Sequence, residues 1–407
     1  MANKIWIVNC YTGSPTKCGN PRYLEFAKHF MENGYNVTIF NMTTVEDIDT
    51  DDDFVEAYYE GIHFVHVRNP KYVGNGLKRM MSIWAFSWRL YRKCTQFECP
   101  DIILHNLHIP FDYPIFWMAK KLKARYIAEA WDMWPEDFVT FGLLSAKNPV
   151  MKIAHAMERN LLEKADEIVY TFEGGLDYLH KKGWTTDENG KISPEKVHYI
   201  NNGVQLEEFD KNRKKYPRPD SDIQDDSLYK IIYMGAIRFA NNVKQLIDAA
   251  AILKENPKYR FFIYGDGPDR DVLQKYCLDN KISNVVFKEK KIPLCEVPWV
   301  VSQATVNVMN YQKNFGPHGV SSGKMFQYFA AGKPICCNIP LKYSEISRRN
   351  LGIDKDLDTP EKYAEAIRYL AELNPEDYKA MCSRVRKAGE DFDLKKLSAQ
   401  ELEVVIG

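Results

Sequence analysis

The sequence predicts an α/β protein built from two doubly wound domains, on three observations. In both halves, short apolar runs alternate with amphipathic segments of helical length, which is typical of repeated βα units in a parallel sheet. A chain of 407 residues is long enough for two domains of about 150–200 residues each. Between residues 205 and 229 the composition turns charged, with Pro217, Pro219 and an acidic run at Asp220–Asp226, which predicts a solvated linker.

The N-terminal half is predicted to open with a strand at Ile5–Cys10 and a helix at about Arg22–Asn33, which Gly34 ends. Further strands are expected at 37–40, 62–67, 102–105, 126–130 and 167–170, helices at 78–93 and 149–164, and the segment 111–122 continues the alternation. In the C-terminal half, strands are expected at 230–234, 260–264, 285–287, 306–309 and 335–338, and helices at 242–255, 269–279 and 324–331.

These elements predict an N-terminal domain at 1–205, a C-terminal domain at 206–385, and a final helical segment at 386–407 that returns toward the first domain. Open parallel sheets bind ligands at the carboxyl ends of their strands. We therefore expect the functional loops at strand ends in both halves, with an active site in a cleft where the two domains face each other.

Bulk composition excludes several classes of protein. Lys and Arg total 55, as do Asp and Glu, so no overall positive charge favours nucleic acid. The nine cysteines form no CxxC pair, and we interpret them as reduced packing residues. Residues 1–4 lead directly into a strand, unlike a signal peptide, and no apolar run reaches the ~18 residues that a membrane span needs. These features predict a cytoplasmic protein.

The segment from Gly319 to Pro334 carries the strongest functional signal. Gly319, Ser321 and Ser322 form a small-residue loop that turns into a helix beginning near Lys324. Backbone amides of such a loop approach a ligand closely, and the helix directs the positive end of its dipole at the same point. This geometry predicts a phosphate or diphosphate site.

Two further strand ends of the second half are predicted to contribute to that site. Gly235 and Gly265 each follow a strand at a point where the backbone approaches a ligand. Arg238 follows the first of these strands, and an arginine in that position neutralises a diphosphate.

In the first half, the loop 12–22 follows the first strand and contains Gly13 and Gly19. Arg22 on the first helical turn is predicted to meet an anion. A plain turn between strand and helix is an equal alternative for this loop.

Two other strand ends of the first half carry polar and aromatic side chains. His105, His108 and Asp112 suit proton transfer or the orientation of a sugar hydroxyl; a surface or capping role is the alternative for the histidines. Trp131 offers a ring face for a sugar, and Asp132 is the best single acid of its loop. Capping of a helix by Asp132 is the alternative. The sequence shows no third ligand for a metal.

A basic amphipathic helix is predicted at Lys78–Lys93. Five of its residues are predicted to share one stripe: Ile83, Trp84, Ser87, Trp88 and Tyr91. Such a helix lies on an anionic membrane or contacts a lipid-linked substrate. Core packing with Arg and Lys side chains extending to solvent is the alternative.

Several segments together resemble the family 4 glycosyltransferases, which have the two-domain GT-B fold. The segments that carry the resemblance are Asn202-Gly203-Val204 with Phe209, Tyr233-Met234-Gly235, Gly265-Asp266-Gly267-Pro268, Asn20–Lys28 and Trp131–Glu136. The last two resemble a subgroup that builds bacterial surface polysaccharides. The resemblance implies two Rossmann-like domains that face each other across a central cleft.

The resemblance also implies a retaining transfer of a sugar from a nucleotide diphosphate, most plainly UDP, to a glycan or lipid-linked acceptor, with no metal and no cofactor. His108 would contact the transferred sugar, Asp132 would line the acceptor side and Arg238 would stabilise the leaving diphosphate. The residues expected to contact the donor are Gly13, Gly19, Gly235, Gly265, Gly319, Ser321, Ser322, Lys324 and Gln327. Those expected on the acceptor or membrane side are Arg22, Trp84, Trp88 and Trp131.

The chain departs from the family at the donor motif, where two glutamates separated by seven residues are usual. Gly319 and Gln327 occupy these positions. Ala236 and Asn241 stand where many relatives carry basic residues. The alternatives are therefore a catalytically impaired homologue that acts as a binding or partner subunit, or a related GT-B enzyme such as a nucleotide-sugar epimerase or a phosphorylase.

Overall fold

A computed structural model describes residues 4–74, 76–140, 142–313 and 315–407. Residues 1–3, which belong to the segment predicted not to be a signal peptide, lie outside the described part. The chain divides into two compact units. Unit 1 contains the chain up to Asn201 together with Leu394–Gly407, and unit 2 is Asn202–Asp393. The boundaries expected from sequence are 205/206 and 385/386.

Each unit contains one sheet. The strands of unit 1 are β1 Lys4–Val8, β2 Asn36–Met42, β3 Phe54–Tyr59, β4 Ile62–Val67, β5 Ile102–Asn106, β6 Arg125–Ala130, β7 Glu167–Tyr170 and β8 Val197–Tyr199. Those of unit 2 are β9 Tyr229–Met234, β10 Tyr259–Tyr264, β11 Val285–Phe287, β12 Val306–Met309, β13 Ile335–Cys337 and β14 Gly352–Asp354. The strand orders are β3-β4-β2-β1-β5-β6-β7-β8 and β11-β10-β9-β12-β13-β14.

Helices connect the strands. They are α1 Arg22–Glu32, α2 Leu77–Lys93, α3 Tyr113–Leu122, α4 Glu136–Thr140, α5 Pro149–Lys164, α6 Gly175–Lys181, α7 Leu206–Lys215, α8 Ser221–Gln224, α9 Val243–Ile252, α10 Arg270–Asp279, α11 Val297–Ser302, α12 Gly323–Ala331, α13 Glu345–Arg348, α14 Pro360–Ala371, α15 Pro375–Asp391 and α16 Leu394–Ile406. The prediction of two α/β domains with parallel, helix-covered sheets is confirmed.

One edge of the unit 1 sheet differs from the prediction. The strand β3 was not expected, and it pairs antiparallel with β4. Glu60 and Gly61 both have positive φ angles, 51° and 83°, so a tight two-residue turn joins the strands as a hairpin. Strands β8 and β14 were not expected either, because neither of their three-residue sequences, Val-His-Tyr and Gly-Ile-Asp, is a continuous apolar run.

The stretch predicted as a solvated linker folds as part of unit 2. Its first part is α7, in which Phe209 is buried. Asp210 on the same helix accepts a hydrogen bond of 2.5 Å from Arg386. The linker prediction is wrong here because one buried aromatic residue anchors an otherwise charged helix.

The last helix packs against the first. The buried leucines of α16, among them Leu394, Leu397 and Leu402, lie in the same apolar cluster as Phe26 and Phe30 of α1. The C-terminal helix thus completes the core of unit 1.

All nine cysteines have free thiols. Six are buried, as expected for packing residues, but Cys99 is exposed and Cys295 and Cys382 are partly so. Within the described ranges, no helix combines the length and the apolar character needed to cross a bilayer.

Candidate active site

In unit 2, glycines at the carboxyl ends of β9 and β10 create space that a side chain would fill. Gly265 has a φ of +128°, and a Cβ there would lie 1.9 Å from the carbonyl oxygen of Gly235. A Cβ on Gly235 would lie 3.1 Å from Nζ of Lys324. The two glycines therefore bring backbone together and leave room for the lysine.

Lys324 is the second residue of α12 and extends its ammonium group into this space. Its Nζ is inaccessible to solvent and has no hydrogen-bond partner among the described residues. It lies 4.9 Å from the ring centroid of Tyr233 and 5.1 Å from that of Tyr311. Burial lowers the pKa of Lys324 to about 8, and the positive charge of Arg238 also acts to lower it.

The loop before α12 is attached to the segment that follows unit 1. Ser321 Oγ accepts hydrogen bonds from the backbone N–H and the side-chain amide of Asn202, at 3.3 and 3.0 Å. Gly319 has a φ of +104°, a conformation that favours glycine. Ser322 is the N-cap, and its own side chain makes no capping hydrogen bond, so this side chain leaves the first helical amides open to a ligand.

A second buried polar atom lies one turn along α12. Oε1 of Gln327 is inaccessible and, in the described part of the chain, accepts no hydrogen bond. Residues three apart lie on the same face of a helix, so one face of α12 carries both the Gln327 acceptor and the Lys324 donor. Because buried polar atoms without partners are costly, the chemistry of this face suits a polar ligand.

The nearby Asn241 has a structural role. Its amide donates to the hydroxyl of Tyr233 at 3.1 Å and to the carbonyl oxygen of Ala236 at 2.6 Å. The side chain of Arg238 is exposed. Positive charge at this sheet edge therefore comes from Lys324 and Arg238 and not from the Ala236 and Asn241 positions.

In unit 1, His108 lies in a buried cluster at the carboxyl ends of β1 and β5. Its Nδ1 is 3.6 Å from Oδ2 of Asp112 and 3.8 Å from Sγ of Cys10. The same carboxylate lies 3.1 Å from Nε2 of His105. Burial alone would lower the pKa of His108, but Cys10 and Asp112 outweigh it and raise the pKa to about 10. Cys10 was missed from sequence, although β1 and β5 are adjacent.

Aromatic rings frame the His108 imidazole. The centroids of Tyr11 and Trp134 lie 5.2 and 5.7 Å from it. Arg79, on the first turn of α2, has its guanidinium carbon 5.0 Å from the Tyr11 centroid and donates from Nε to the Tyr11 hydroxyl at 2.7 Å. The contacts of these three residues around His108 were not predicted, because they join segments that lie apart in the chain.

The loop after β6 holds Trp131 and Asp132 in different environments. Trp131 donates from Nε1 to Oε2 of Glu129 at 3.0 Å, whereas Asp132 is exposed. Asp137, which was not predicted, accepts a hydrogen bond from the Met133 backbone at 3.2 Å. Burial and the neighbouring Asp132 raise the pKa of Asp137 to about 7, so a carboxyl group that changes charge near neutrality lies beside the predicted acid.

Arg22 is buried in an internal ion network, which does not fit the predicted contact with a ligand anion. Its guanidinium group has no exposed surface and pairs with Glu129 at 2.6 Å and Glu401 at 3.1 Å. The role predicted for Arg22 is therefore corrected to that of an internal ion pair. The sequence did not indicate this pairing, because both carboxylates come from segments far along the chain.

The two glycines predicted in the first loop differ in surroundings. Gly13 is buried, and a Cβ there would lie 3.0 Å from the Lys17 backbone. Ser14 beside it donates from its backbone N–H and its hydroxyl to Glu46, at 2.5 and 2.9 Å. Gly19 is exposed, with no atom near its Cβ position. The glycine loop is thus held by side chains of its own unit.

The helix α2 has two distinct faces, so the single stripe expected from sequence is wrong. Ile83 and Ser87 are buried, which is the predicted core packing. Trp84 and Trp88 are 41% and 38% exposed, and their rings stack with centroids 5.9 Å apart. Trp117 on α3 is exposed as well. This outer face is called the aromatic face: Trp84, Trp88 and Trp117.

No cluster of three or more potential metal ligands occurs in the ranges that the structure describes. The candidate residues fall into two sets. One set is the Lys324 face of unit 2, and the other is formed by the His108 and Trp131 loops of unit 1.

Comparison with known families assigns both units. The model of "Glycosyltransferase Family 4" matches residues 22–208, and that of "Glycosyl transferases group 1" matches residues 217–390. Among curated proteins, the chain is similar to the putative teichuronic acid biosynthesis glycosyltransferase TuaH of Bacillus subtilis, with 26% identity over 247 residues. That match covers 60% of this chain and 55% of the relative, so the chain spans about half of that protein's length.

Solved structures share the fold over the whole chain. A trehalose-6-phosphate protein from E. coli bound with UDP-2-fluoro glucose has a TM-score of 0.72 at 10% identity, over 99% of both chains. WaaG, a lipopolysaccharide glycosyltransferase, gives 0.68 at 14%, over 99% of this chain and 100% of WaaG. Anabaena HepE in complex with UDP and glucose gives 0.64 at 13%, over 98% of both chains.

The fold that the resemblance implied is thus confirmed as that of the GT-B proteins. With one domain model matching most of each unit, the chain belongs to the family 4 glycosyltransferases.

Proposed function

We propose that the protein is a retaining glycosyltransferase that moves a sugar from a nucleotide diphosphate, most simply UDP, to a glycan or lipid-linked acceptor in surface-polysaccharide synthesis. The observation that carries the proposal is the buried Lys324 ammonium group without a partner among the described residues. An anionic diphosphate is the ligand that would satisfy it. The UDP in the similar HepE structure and the pathway named for TuaH support the donor and the acceptor class.

In the proposed reaction, negative charge develops beside the hydrogen-bond donors of unit 2. The bond between the sugar C1 and the β-phosphate oxygen breaks, and its electron pair leaves with the phosphate. The acceptor oxygen forms the new bond to C1, and its proton passes to the released nucleotide or to solvent. Lys324, Arg238 and the amides of residues 321–323 stabilise the developing negative charge, which is the largest single contribution in many such enzymes.

In unit 1, His108 would contact the transferred sugar. Its pKa is raised by Cys10 and Asp112, so it offers an imidazolium N–H to an oxygen atom. Trp131 and Asp132 would line the acceptor side, with Asp137 close to Asp132.

Arg238→Ala is expected to lower turnover by a factor of about 30 to 1000, or ~2–4 kcal/mol, because the arginine acts on charge that develops in the transition state. UDP release from UDP-glucose, UDP-galactose and UDP-N-acetylglucosamine measures this. Arg260→Ala is the matched control, because Arg260 donates to the Ser283 carbonyl near the opposite end of β10. Unchanged turnover in Arg238→Ala with an intact fold would remove Arg238 from the mechanism.

The replacements at Gln327 and Asn241 favour a second candidate, a nucleotide-binding partner subunit without turnover. A ligand at a hundred times its Kd stabilises the protein by ~2.7 kcal/mol. A thermal shift with UDP but no UDP release from any sugar nucleotide would select this candidate. Conversion of the sugar nucleotide without an acceptor would instead identify an epimerase.

We also propose that the aromatic face contacts an anionic membrane. The helix α2 carries five Lys and Arg residues, α3 carries two, and neither has Asp or Glu. Tryptophan rings beside basic side chains suit the lipid interface.

The double variant Trp84→Ser with Trp88→Ser is expected to reduce binding to phosphatidylglycerol vesicles about tenfold, or ~1.4 kcal/mol, because two rings leave the interface. Flotation with phosphatidylglycerol and with phosphatidylcholine vesicles measures this. Tyr369→Ser, which removes an exposed ring of unit 2, serves as control. Equal flotation of all variants would show that the aromatic face does not contribute to membrane binding.

A further inference from the structure

A fully buried ion network lies beneath the Trp131 loop of unit 1. Arg22 Nη2 is 2.6 Å from Glu129 Oε1 and 3.1 Å from Glu401 Oε2, and none of the three side chains is exposed. Arg22 also donates from Nη1 to the carbonyl oxygen of Asn201 at 2.5 Å. The network therefore joins four parts of unit 1: α1, β6, Asn201 and α16.

The second oxygen of Glu129 determines where Trp131 lies. Oε2 accepts hydrogen bonds from Nε1 of Trp131 at 3.0 Å and from the hydroxyl of Tyr23. The indole ring stacks on the ring of Tyr23, with centroids 5.0 Å apart. The indole hydrogen bond and the ring stacking both depend on the orientation of the Glu129 carboxylate. Arg22 holds this carboxylate through Oε1 of Glu129.

We propose that Glu401, on the last helix of the chain, is a positioning residue for Trp131. Glu401 and the Asn201 carbonyl hold the Arg22 guanidinium group, Arg22 orients Glu129, and Glu129 holds the indole. The acceptor role of Trp131 rests on the proposed function, whereas the coupling from Glu401 to Trp131 is a property of unit 1.

The charges of this network indicate which variant preserves it. One guanidinium group faces two carboxylates, and the remaining titratable group in contact, Tyr23, is neutral because burial and Glu129 raise its pKa. Burial raises the pKa of Glu401 to about 8, which Glu129 reinforces and Arg22 opposes. The raised pKa favours the protonated, neutral form of Glu401, and glutamine reproduces the shape, the charge and the acceptor oxygen of that form.

The raised pKa has a defined effect on stability. Between the ordinary value of 4.5 and about 8, the folded chain holds a proton that the unfolded chain has lost. The free energy of unfolding that Glu401 contributes therefore falls as the pH rises through this window. Glu401→Gln removes this dependence.

The test measures hydrogen exchange of the full chain at pH 7 in Glu401→Leu, Glu401→Gln and the control Glu403→Leu, an exposed residue of the same helix. We expect Glu401→Leu to accelerate exchange at residues 129–137 about tenfold through local opening, and the other two variants to match the parent. Unchanged protection at 129–137 in Glu401→Leu, or an equal rise in every peptide of unit 1, would overturn the proposal.

Two further readouts complete the test. Thermal unfolding from pH 5 to 8 should be less pH-dependent in Glu401→Gln than in the parent, and identical slopes would contradict a protonated Glu401. The thermal shift with UDP should be the same in all variants, since unit 2 is unaltered. Absence of that shift in the parent protein would contradict the proposed function and leave the exchange result as it stands.

Discussion

Replacing Lys324 with methionine is expected to weaken UDP binding by a factor of about 10 to 150. The physical reason is the loss of a charge-assisted contact to the diphosphate, which contributes ~1.5–3 kcal/mol. Methionine retains the length and the apolar stem of the side chain between Tyr233 and Tyr311. Isothermal titration with UDP measures the change.

The same variant is expected to be more stable than the parent without ligand. The pKa of Lys324 is about 8, against 10.5 ordinarily, so burial of its charge costs on the order of 3 kcal/mol at neutral pH. The unfolded chain binds more protons between these two values, so the stability of the parent rises with pH in that window. The stability difference between Lys324→Met and the parent should shrink from pH 7 to 10 in thermal unfolding.

Lys275→Met provides the matched control. Lys275 is exposed and pairs with Asp279 on α10, so the variant removes the same charge from the same unit. We expect UDP affinity and stability close to those of the parent. Equal UDP affinity in Lys324→Met and Lys275→Met would contradict a diphosphate site at the start of α12.

Replacing Arg22 with methionine is expected to lower the free energy of unfolding by ~3–5 kcal/mol. The change leaves Glu129 in a fully buried position without its counter-charge, and removing one partner of a buried pair has this cost. Urea denaturation followed by circular dichroism measures it.

Lys28→Met on the same helix is the control, because Lys28 pairs with Glu60 at a partly exposed site and such pairs contribute ~0–1 kcal/mol. A loss below about 1 kcal/mol in Arg22→Met would contradict an ion pair that organises unit 1.

The fold and the structure of the loop before α12 were predictable because their signals are local. The loop from Gly319, the start of α12 and the strand β12 all follow from residue types within a few positions of one another. The burial of Lys324 was not predictable, since it depends on the space left by Gly235, which follows the distant strand β9.

The least predictable residues are those whose contacts connect distant segments. Arg22 was assigned to a ligand because its partners, Glu129 and Glu401, lie 107 and 379 positions away in sequence. Cys10 and Arg79 reach the His108 cluster in the same way. A single sequence records which residues are charged but not which of them neutralise each other.

The Arg22 network has a consequence for the order of folding during synthesis. Unit 2 is one continuous segment, Asn202–Asp393, whereas unit 1 needs Leu394–Gly407 to complete its core. A ribosome therefore releases all of unit 2 before Glu401 reaches Arg22. Until then the part of α1 that packs against α16 is uncovered, which favours aggregation and chaperone binding. A fragment that ends at Asn201 would retain this defect permanently.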